Sequence, residues 1–348
     1  MPRQLKHHVA GGWYHITTRG LGRRAIFESA RDREHFIELL AGMVERYRII
    51  LHAYVLMDNH YHLLVESPEG NVSRAMQWLN TSYGTWFNVS RNRSGPVFQN
   101  RFKSIPVDNE GSWAFYCSMY IHLNPVRIKG LGLGKLERSR EKSGMLPEDP
   151  DAELVLKRLE CLRTHRWSSY PAYGGYVEKP AWLYCEELWW RGNEEGIDPR
   201  KEYRDWIEGY LRQGIEEPKL SSLSSAVVIG SAAFVSKVRK EVLKLKGVDT
   251  NEREWKRLLP FTDVISAVEK LKGEAWDDFV DRHGDWARDL ALYAGRERCG
   301  LSLTELGEFV NCRNQSVAQS NMRIRKRLKQ DQELKQNYEK LLNILEES

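Results

Sequence analysis

Two histidines separated by one residue are the first group in this sequence that could do chemistry. His60-Tyr61-His62 lies in a stretch typical of a β-strand, and side chains two apart on a strand project from the same face. Two imidazoles held in this way form half of a divalent metal site, although two histidines on an exposed sheet face give the same pattern. Imidazole alone suits zinc and other transition metals, whereas an added oxygen ligand and a phosphate substrate favour Mg²⁺ or Mn²⁺.

A helix further along the chain has the groups that would complete such a site. Tyr120 and Asn124 are four residues apart, so they share a helix face. If that face looks at the imidazoles, Asn124 offers an oxygen ligand and Tyr120 a hydroxyl that can attack phosphorus beside a cation. Tyr116, one turn earlier, is the alternative nucleophile, and His122 is expected to point elsewhere. A core tyrosine and a helix end before Pro125 would explain the same residues without any chemistry.

The elements that must position these side chains follow the order β-α-β-β-α-β-α. The pattern predicts strands at 13–18, 49–57 and 60–66, an extended segment at 96–107, and helices at 29–47, 72–89 and 112–123. We therefore expect an α+β fold, a ferredoxin-like antiparallel sheet with helices on one face and one added helix. The expected domains are a catalytic domain at 1–134, a linker and mostly helical middle region at 135–285, with a loop at 135–150, and a helix-turn-helix domain at 286–348.

Four motifs in the same order resemble a known family. The run from Val55 to Glu66, which contains Asp58-Asn59-His60-Tyr61-His62, resembles the histidine motif of the REP-associated tyrosine transposases, single-tyrosine members of the HUH (His-hydrophobic-His) superfamily. Segments 15–20, 87–88, 95–103 and 120–127 continue the resemblance, and 167–170 looks like the segment that follows the catalytic core in that family.

The resemblance implies a mechanism. It implies that His60 and His62 bind a divalent metal, Mg²⁺ or Mn²⁺, with Asn124 as the third ligand and Tyr120 as the nucleophile. The reaction would cut and rejoin single-stranded DNA, at hairpins or repetitive elements, through a 5′-phosphotyrosine intermediate. Such a transesterification needs no nucleotide, and the sequence has no glycine-rich phosphate loop. The candidate DNA contacts in this domain are the following: Arg19, Arg101 and Lys103 for phosphates, and Phe98 for base stacking.

A second DNA-binding unit is predicted at the carboxy-terminal end of the sequence. Helices are expected at 286–299, 302–310 and 315–328, and the last two match helix-turn-helix spacing, with a plain helical hairpin as the alternative. Residues 291–334 resemble the carboxy-terminal DNA-binding domain of the replication initiator DnaA. On the last helix Val317, Ile324 and Leu328 should face inward and Ser320 outward. The candidate duplex contacts are Arg313, Ser316, Gln319, Arg323, Arg325, Lys326 and Arg327.

Two basic ends around a slightly acidic middle suggest two places where a polyanion could bind, although solvated helix faces would give the same charge pattern. The chain has 348 residues with a formal net charge of +5; residues 1–130 carry 16 basic and 10 acidic side chains, residues 131–285 carry 26 and 29, and residues 286–348 carry 11 and 9. Five scattered cysteines predict reduced thiols, and no apolar run is long enough for a membrane span. We expect a cytoplasmic monomer or homodimer. A DNA-binding regulator derived from a transposase, without catalysis, and a phosphodiesterase that uses water instead of Tyr120 are the alternatives.

Overall fold

The computed structural model describes residues 8–134, 152–190, 198–213, 223, 227–244, 259–299, 301 and 303–347. The chain forms two compact units, one extending to Val238 and the other from Arg239 onward. This division differs from the boundaries expected at 134 and 285. The expected loop at 135–150 and the expected first helical residue Ser302 lie outside the described residues.

Four strands form the sheet of the first unit. They are β1 (Gly12–Arg19), β2 (Ile50–Met57), β3 (His60–Ser67) and β4 (Lys103–Val107). All neighbours are antiparallel, in the order β2-β3-β1-β4, which is the ferredoxin-like order and confirms the predicted fold class. Strand β4 is shorter than the extended segment predicted at 96–107, because the residues before it form a loop in which Phe98 makes only an isolated bridge to Gly20.

Helices α1 (Ala30–Tyr47) and α2 (Val72–Val89) cover one face of the sheet. Ser29 and Asp32 begin α1 with a capping box, each side chain accepting a hydrogen bond from the backbone N–H of the other. The ring of Phe36 lies 4.8 Å from that of Tyr61, and the Tyr61 hydroxyl donates to Asn80 on α2. Since neighbouring residues on a strand face opposite ways, His60 and His62 are left on the other face.

Helix α3 (Trp113–His122) packs against that second face, and the helices of the middle region follow it in the chain. These are α4 (Ala152–Thr164), α5 (Tyr170–Tyr173), α6 (Glu186–Trp190), α7 (Pro199–Gln213) and α8 (Ala232–Lys244). Tyr170, Tyr173 and Tyr203 are fully buried in the same core as the sheet. The first unit therefore continues past residue 134, since these aromatic side chains need the sheet and α3 to cover them.

The second unit has its own helical core. Its helices are α9 (Phe261–Lys272), α10 (Trp276–Phe279), α11 (Trp286–Arg298), α12 (Leu303–Phe309), α13 (Asn314–Arg327) and α14 (Gln332–Glu347). Leu290, Leu306, Val317 and Ile324 are buried between them. Among the helices of the described residues, none has the length and apolar character needed to cross a bilayer.

Candidate active site

His60 and His62 begin strand β3, directly after the Asp58-Asn59 turn that closes the β2–β3 hairpin. The two imidazoles face each other edge to face, with ring centroids 5.1 Å apart. His60 is half-buried and His62 is 7 % exposed. The strand therefore brings the two side chains together, as the spacing predicted.

A hydrogen bond from the turn fixes the tautomer of His60. Its Nδ1 lies 2.7 Å from the amide oxygen of Asn59, and the amide nitrogen of Asn59 donates to the backbone oxygen of Arg23. The Asn59 oxygen can only accept, so the proton sits on Nδ1 of His60 and the lone pair on Nε2. A neutral imidazole with a free lone pair is the form that binds a metal.

His62 has a comparable partner in His15 on the neighbouring strand. Nδ1 of His62 lies 2.8 Å from Nε2 of His15, which is 3 % exposed. With His62 as the donor, its Nε2 keeps the lone pair for a ligand, in the arrangement by which neighbouring side chains orient metal-binding histidines. The sequence reasoning did not assign Asn59 and His15 to the site. The alternation along β1 is the signal for His15, which shares the face of Thr17, the residue paired with His62.

Burial keeps the histidines of this cluster neutral at physiological pH. Together with the nearby Arg19, and against the opposing effect of Asp58, it lowers the pKa of His60 to about 4. The pKa of His62 lies well below its usual value for the same reason, with His15, His60 and Arg19 adding to the effect. Two neutral imidazoles with oriented lone pairs fit a divalent cation.

The ring of Tyr120 on α3 lies over the imidazoles, on the same face of the sheet. Its ring centroid lies 5.9 Å from that of His62 and 5.8 Å from that of His15, in edge contacts. Tyr116, one turn earlier, contacts the ring of its neighbour Phe115. The contacts of Tyr120 with His62 and His15 favour Tyr120 as the side chain that could react beside His62.

The carboxy-terminal end of α3 contributes Asn124. Its amide nitrogen donates to the backbone oxygen of Tyr120 at 2.8 Å and, more weakly, to that of Ile121. Because the amide nitrogen is used in this way, the oxygen is the atom left to act as a ligand. Asn124 lies two residues beyond the end of α3, and the hydrogen bonds that the described residues give its side chain go back to the last turn of that helix, so none of them joins it to His60 or His62. His122 hydrogen-bonds to Tyr203 and Ser169 and is fully buried, away from the pair, as expected.

The predicted DNA contacts of the first unit fall into two groups. Arg19 lies opposite His60 in the register of β1 and β3, and Lys103 lies opposite Thr17 in the register of β1 and β4. These two cations therefore lie on the imidazole face. Phe98 packs against Tyr61 and Tyr83 on the α2 side of the sheet. Together with Arg101 it lines an open pocket whose other residues include Asn80 and Thr81.

The predicted contacts on α13 also divide. Arg313, Gln319, Arg325 and Lys326 are exposed, and Ser316 and Arg327 are half-buried. Ser320, which was expected to face outward, is 2 % exposed; this expectation was wrong, because α11 packs against α13 on that side. Arg323 is also exposed, but it is engaged in the fold as well, since its Nε donates to the buried carboxylate of Asp289 at 3.0 Å.

Comparison with known proteins gives one family match. Residues 8–123 match the family described as "Transposase IS200 like"; the matched stretch contains His15, His60, His62 and Tyr120 and stops just before Asn124. No curated protein matches the chain. One similar solved structure is described as the REP-associated tyrosine transposase bound to a REP hairpin, with 18% sequence identity, a TM-score of 0.32, and coverage of 44% of this chain and 93% of that chain.

Proposed function

We propose that this protein is a metal-dependent transposase that cleaves and rejoins single-stranded DNA, at hairpins, through a covalent bond to Tyr120. The observation that carries the proposal is the position of the Tyr120 ring, 5.9 Å from His62 and on the sheet face that also holds His60. The same stretch of chain matches IS200-like transposases. The Tyr120 phenol shares the sheet face with the neutral imidazoles of His60 and His62, which are suited to binding a cation.

The proposed reaction is an exchange of one phosphate ester for another. The phenolic oxygen of Tyr120 forms a bond to phosphorus as the bond to the 3′ oxygen breaks, and the 3′ oxygen gains a proton as the phenol loses one. A divalent cation held by His60 and His62, with Asn124 as the third ligand, would polarise the phosphate. Arg19 and Lys103 would bind the flanking phosphates. Because the number of phosphate ester bonds is conserved, the reaction runs in reverse without any nucleotide.

The second unit would supply a duplex-binding surface. Helices α12 and α13 pack together and are joined by a short connection, which is the arrangement of a helix-turn-helix. Arg313, Arg325 and Lys326 are exposed along the second of these helices. We therefore propose that α13 binds double-stranded DNA, while the first unit acts on a single strand.

A labelled adduct tests the nucleophile. A single-stranded hairpin oligonucleotide carrying its label at the 3′ end is incubated with the full-length protein and Mn²⁺ or Mg²⁺, then run on a denaturing gel. The 5′-phosphotyrosine intermediate retains this label, so a slow band that protease removes is the expected product. Tyr120→Phe should abolish the band, whereas Tyr116→Phe, the matched control one turn away on α3, should keep it.

Three results would contradict the proposal. An adduct that is lost in Tyr116→Phe and kept in Tyr120→Phe would reassign the nucleophile. Cleavage without an adduct, unchanged in Tyr120→Phe, would indicate a phosphodiesterase that uses water. Hairpin binding without cleavage in either metal would indicate a regulator without catalysis.

A further inference from the structure

A second cluster of metal-binding side chains lies at the other end of the sheet. His52 on β2, Glu66 on β3 and Glu187 on α6 each place one ligand atom within 4.8 Å of the others. Among the described residues, these are the three metal-binding side chains whose ligand atoms lie this close together. Glu66 is six residues from His60 along β3, about 20 Å at the rise of a strand. The cluster is therefore separate from the imidazole pair beside Tyr120.

A β-bulge directs His52 into this cluster. The pairing of β2 with β3 shifts between Leu51 and Ala53, which leaves His52 as the extra residue. Bulges of this kind re-aim a side chain at functional sites. Trp13 stacks on the imidazole at 3.8 Å and Tyr184 contacts its edge, so the ring is held in one orientation.

The imidazole of His52 is buried without a normal hydrogen bond. The residue is fully buried, and the polar groups beside its ring nitrogens, the Glu66 carboxylate and the Tyr184 backbone, do not reach hydrogen-bond geometry. Nε2 lies 3.6 Å from a carboxylate oxygen of Glu66, which is too long for a hydrogen bond. Two ligands of one tetrahedral ion, each about 2.1 Å from it, lie about 3.4 Å apart. The separation of His52 and Glu66 is close to that of two atoms that share a cation, and the Glu187 oxygen lies within 4.8 Å of both.

The third ligand comes from a segment already attached to the same strand. The backbone N–H of Tyr184 donates to the oxygen of Leu51 at 2.9 Å, and Leu183 forms a bridge with Leu51. Glu187 follows on α6, whose Leu188 is fully buried. The backbone thus fixes the start of α6 beside the bulge and brings the Glu187 carboxylate to His52 and Glu66.

We propose that His52, Glu66 and Glu187 form a second metal site, which binds a divalent transition metal such as Zn²⁺ and ties α6 to the β2–β3 edge of the sheet. One imidazole and two carboxylates are ligands that Zn²⁺ accepts, and the imidazole disfavours Mg²⁺. The three ligands come from three different elements, so the ion would stabilise the packing of the middle region on the sheet.

The zinc stoichiometry of the native protein, one double variant and two triple variants tests the proposal. Full-length protein is stripped with a chelator and dialysed against Zn²⁺, and bound zinc is measured by mass spectrometry. The double variant His60→Ala/His62→Ala removes the imidazole pair beside Tyr120, so it should retain one zinc and show a higher Tm with Zn²⁺ than with chelator. Adding Glu187→Gln should weaken the remaining site about tenfold or more and remove most of that Tm shift. Adding Glu186→Gln instead, the matched control whose carboxylate pairs with Lys179, should leave both measurements unchanged.

Two outcomes would overturn the second site. If the double variant binds no zinc, His52 and the two glutamates form only an ion pair. If the variants with Glu187→Gln and Glu186→Gln bind zinc equally, the ion lies elsewhere. Should either variant fold poorly, Glu66→Gln, which removes the carboxylate on β3, tests the same site. DNA cleavage is not measured, so these results are independent of the role proposed for Tyr120.

Discussion

His15 and His62 share a hydrogen bond of 2.8 Å between adjacent strands, and this bond orients the imidazole of His62, whose ring lies 5.9 Å from that of Tyr120. Side chains that orient metal-binding histidines typically affect metal affinity by 10–100-fold. We expect His15→Phe, which keeps an aromatic ring but loses both nitrogens, to raise the Mn²⁺ concentration for half-maximal cleavage about tenfold or more. A metal titration of adduct formation measures this.

His15→Gln is the comparison variant for this prediction. Its amide can still bond to Nδ1 of His62, so its metal requirement should lie between those of the native protein and His15→Phe. Binding of the hairpin without metal should be the same in all three, because His15 is buried. Equal metal titrations for the native protein and His15→Phe would contradict the orienting role.

Arg127 lies over the ring of Tyr120, with its guanidinium carbon 5.0 Å from the ring centroid. A cation in this position holds the ring and favours the negative charge that develops on the phenol during attack. We expect Arg127→Gln to slow adduct formation about tenfold, which corresponds to about 1.4 kcal/mol, with little change in hairpin affinity. Single-turnover kinetics separate these two quantities.

Lys129→Gln provides the control for Arg127, since it removes one exposed positive charge two residues further along the chain. It should leave the rate of adduct formation unchanged. A rate loss of similar size in both variants would mean that general charge, and not the contact with Tyr120, explains the effect.

The sheet and the imidazole pair could be predicted from the sequence because both depend on local patterns. Alternation along a strand puts His60 and His62 on one face, and antiparallel pairing puts Thr17 of β1 on the same face. These regularities hold whatever packs around them. The hairpin turn at Asp58-Asn59 was predicted for the same reason.

Other features depend on contacts between distant parts of the chain and could not be predicted. The bulge that directs His52 arises from the pairing of two whole strands and leaves no pattern in β2. The sequence predicts Phe98 as a base-stacking platform near Arg101 and Lys103, but it gives no sign that the ring packs against Tyr61 and Tyr83 on the other side of the sheet from the imidazoles. Ser320 is buried because of its partner helix, although its own helix is polar around it.

Glu208 makes the first unit sensitive to acid. Burial raises the pKa of this carboxyl, but hydrogen bonds from Arg163 and Tyr176 outweigh burial and hold it below its usual value of 4.5. A carboxyl with a lowered pKa in the folded state contributes stability that is complete above pH 4.5 and is lost as the pH falls below it. We expect Glu208→Gln to cost about 2 kcal/mol at pH 7, and thus about 4–8 °C in Tm.

The Tm difference between Glu208→Gln and the native protein should shrink when both are measured near pH 3.5. Glu160→Gln, which alters an exposed carboxylate on α4, should match the native protein at both pH values. A difference for Glu208→Gln that stays constant between pH 7 and pH 3.5 would contradict the assignment of this acid sensitivity to Glu208.

Exposed and paired cations on α13 should behave differently when they are replaced. Arg325 and Lys326 are exposed, so the double variant Arg325→Gln/Lys326→Gln should lower duplex affinity and reduce the slope of log K against log salt by about 2, the loss of two phosphate contacts. Lys335→Gln/Lys340→Gln removes the same charge from exposed positions on α14 and should leave the slope nearly unchanged. Equal slopes for the two double variants would contradict duplex binding by α13.

Arg323 should instead affect stability. Its guanidinium is the nearer partner of the Asp289 carboxylate, at 3.0 Å; Asp289 is 1 % exposed, and its second partner, the buried Arg288, lies at 3.5 Å. A buried carboxylate that loses its nearer partner is costly. We expect Arg323→Gln to lower the Tm of the second unit, and Asp289→Asn to restore part of the loss in the double variant, because it removes the carboxylate charge that Arg323 no longer balances. Calorimetry of the full-length chain measures both, and a variant Arg323→Gln that unfolds at the native temperature but loses duplex binding would instead return Arg323 to the DNA-contacting surface.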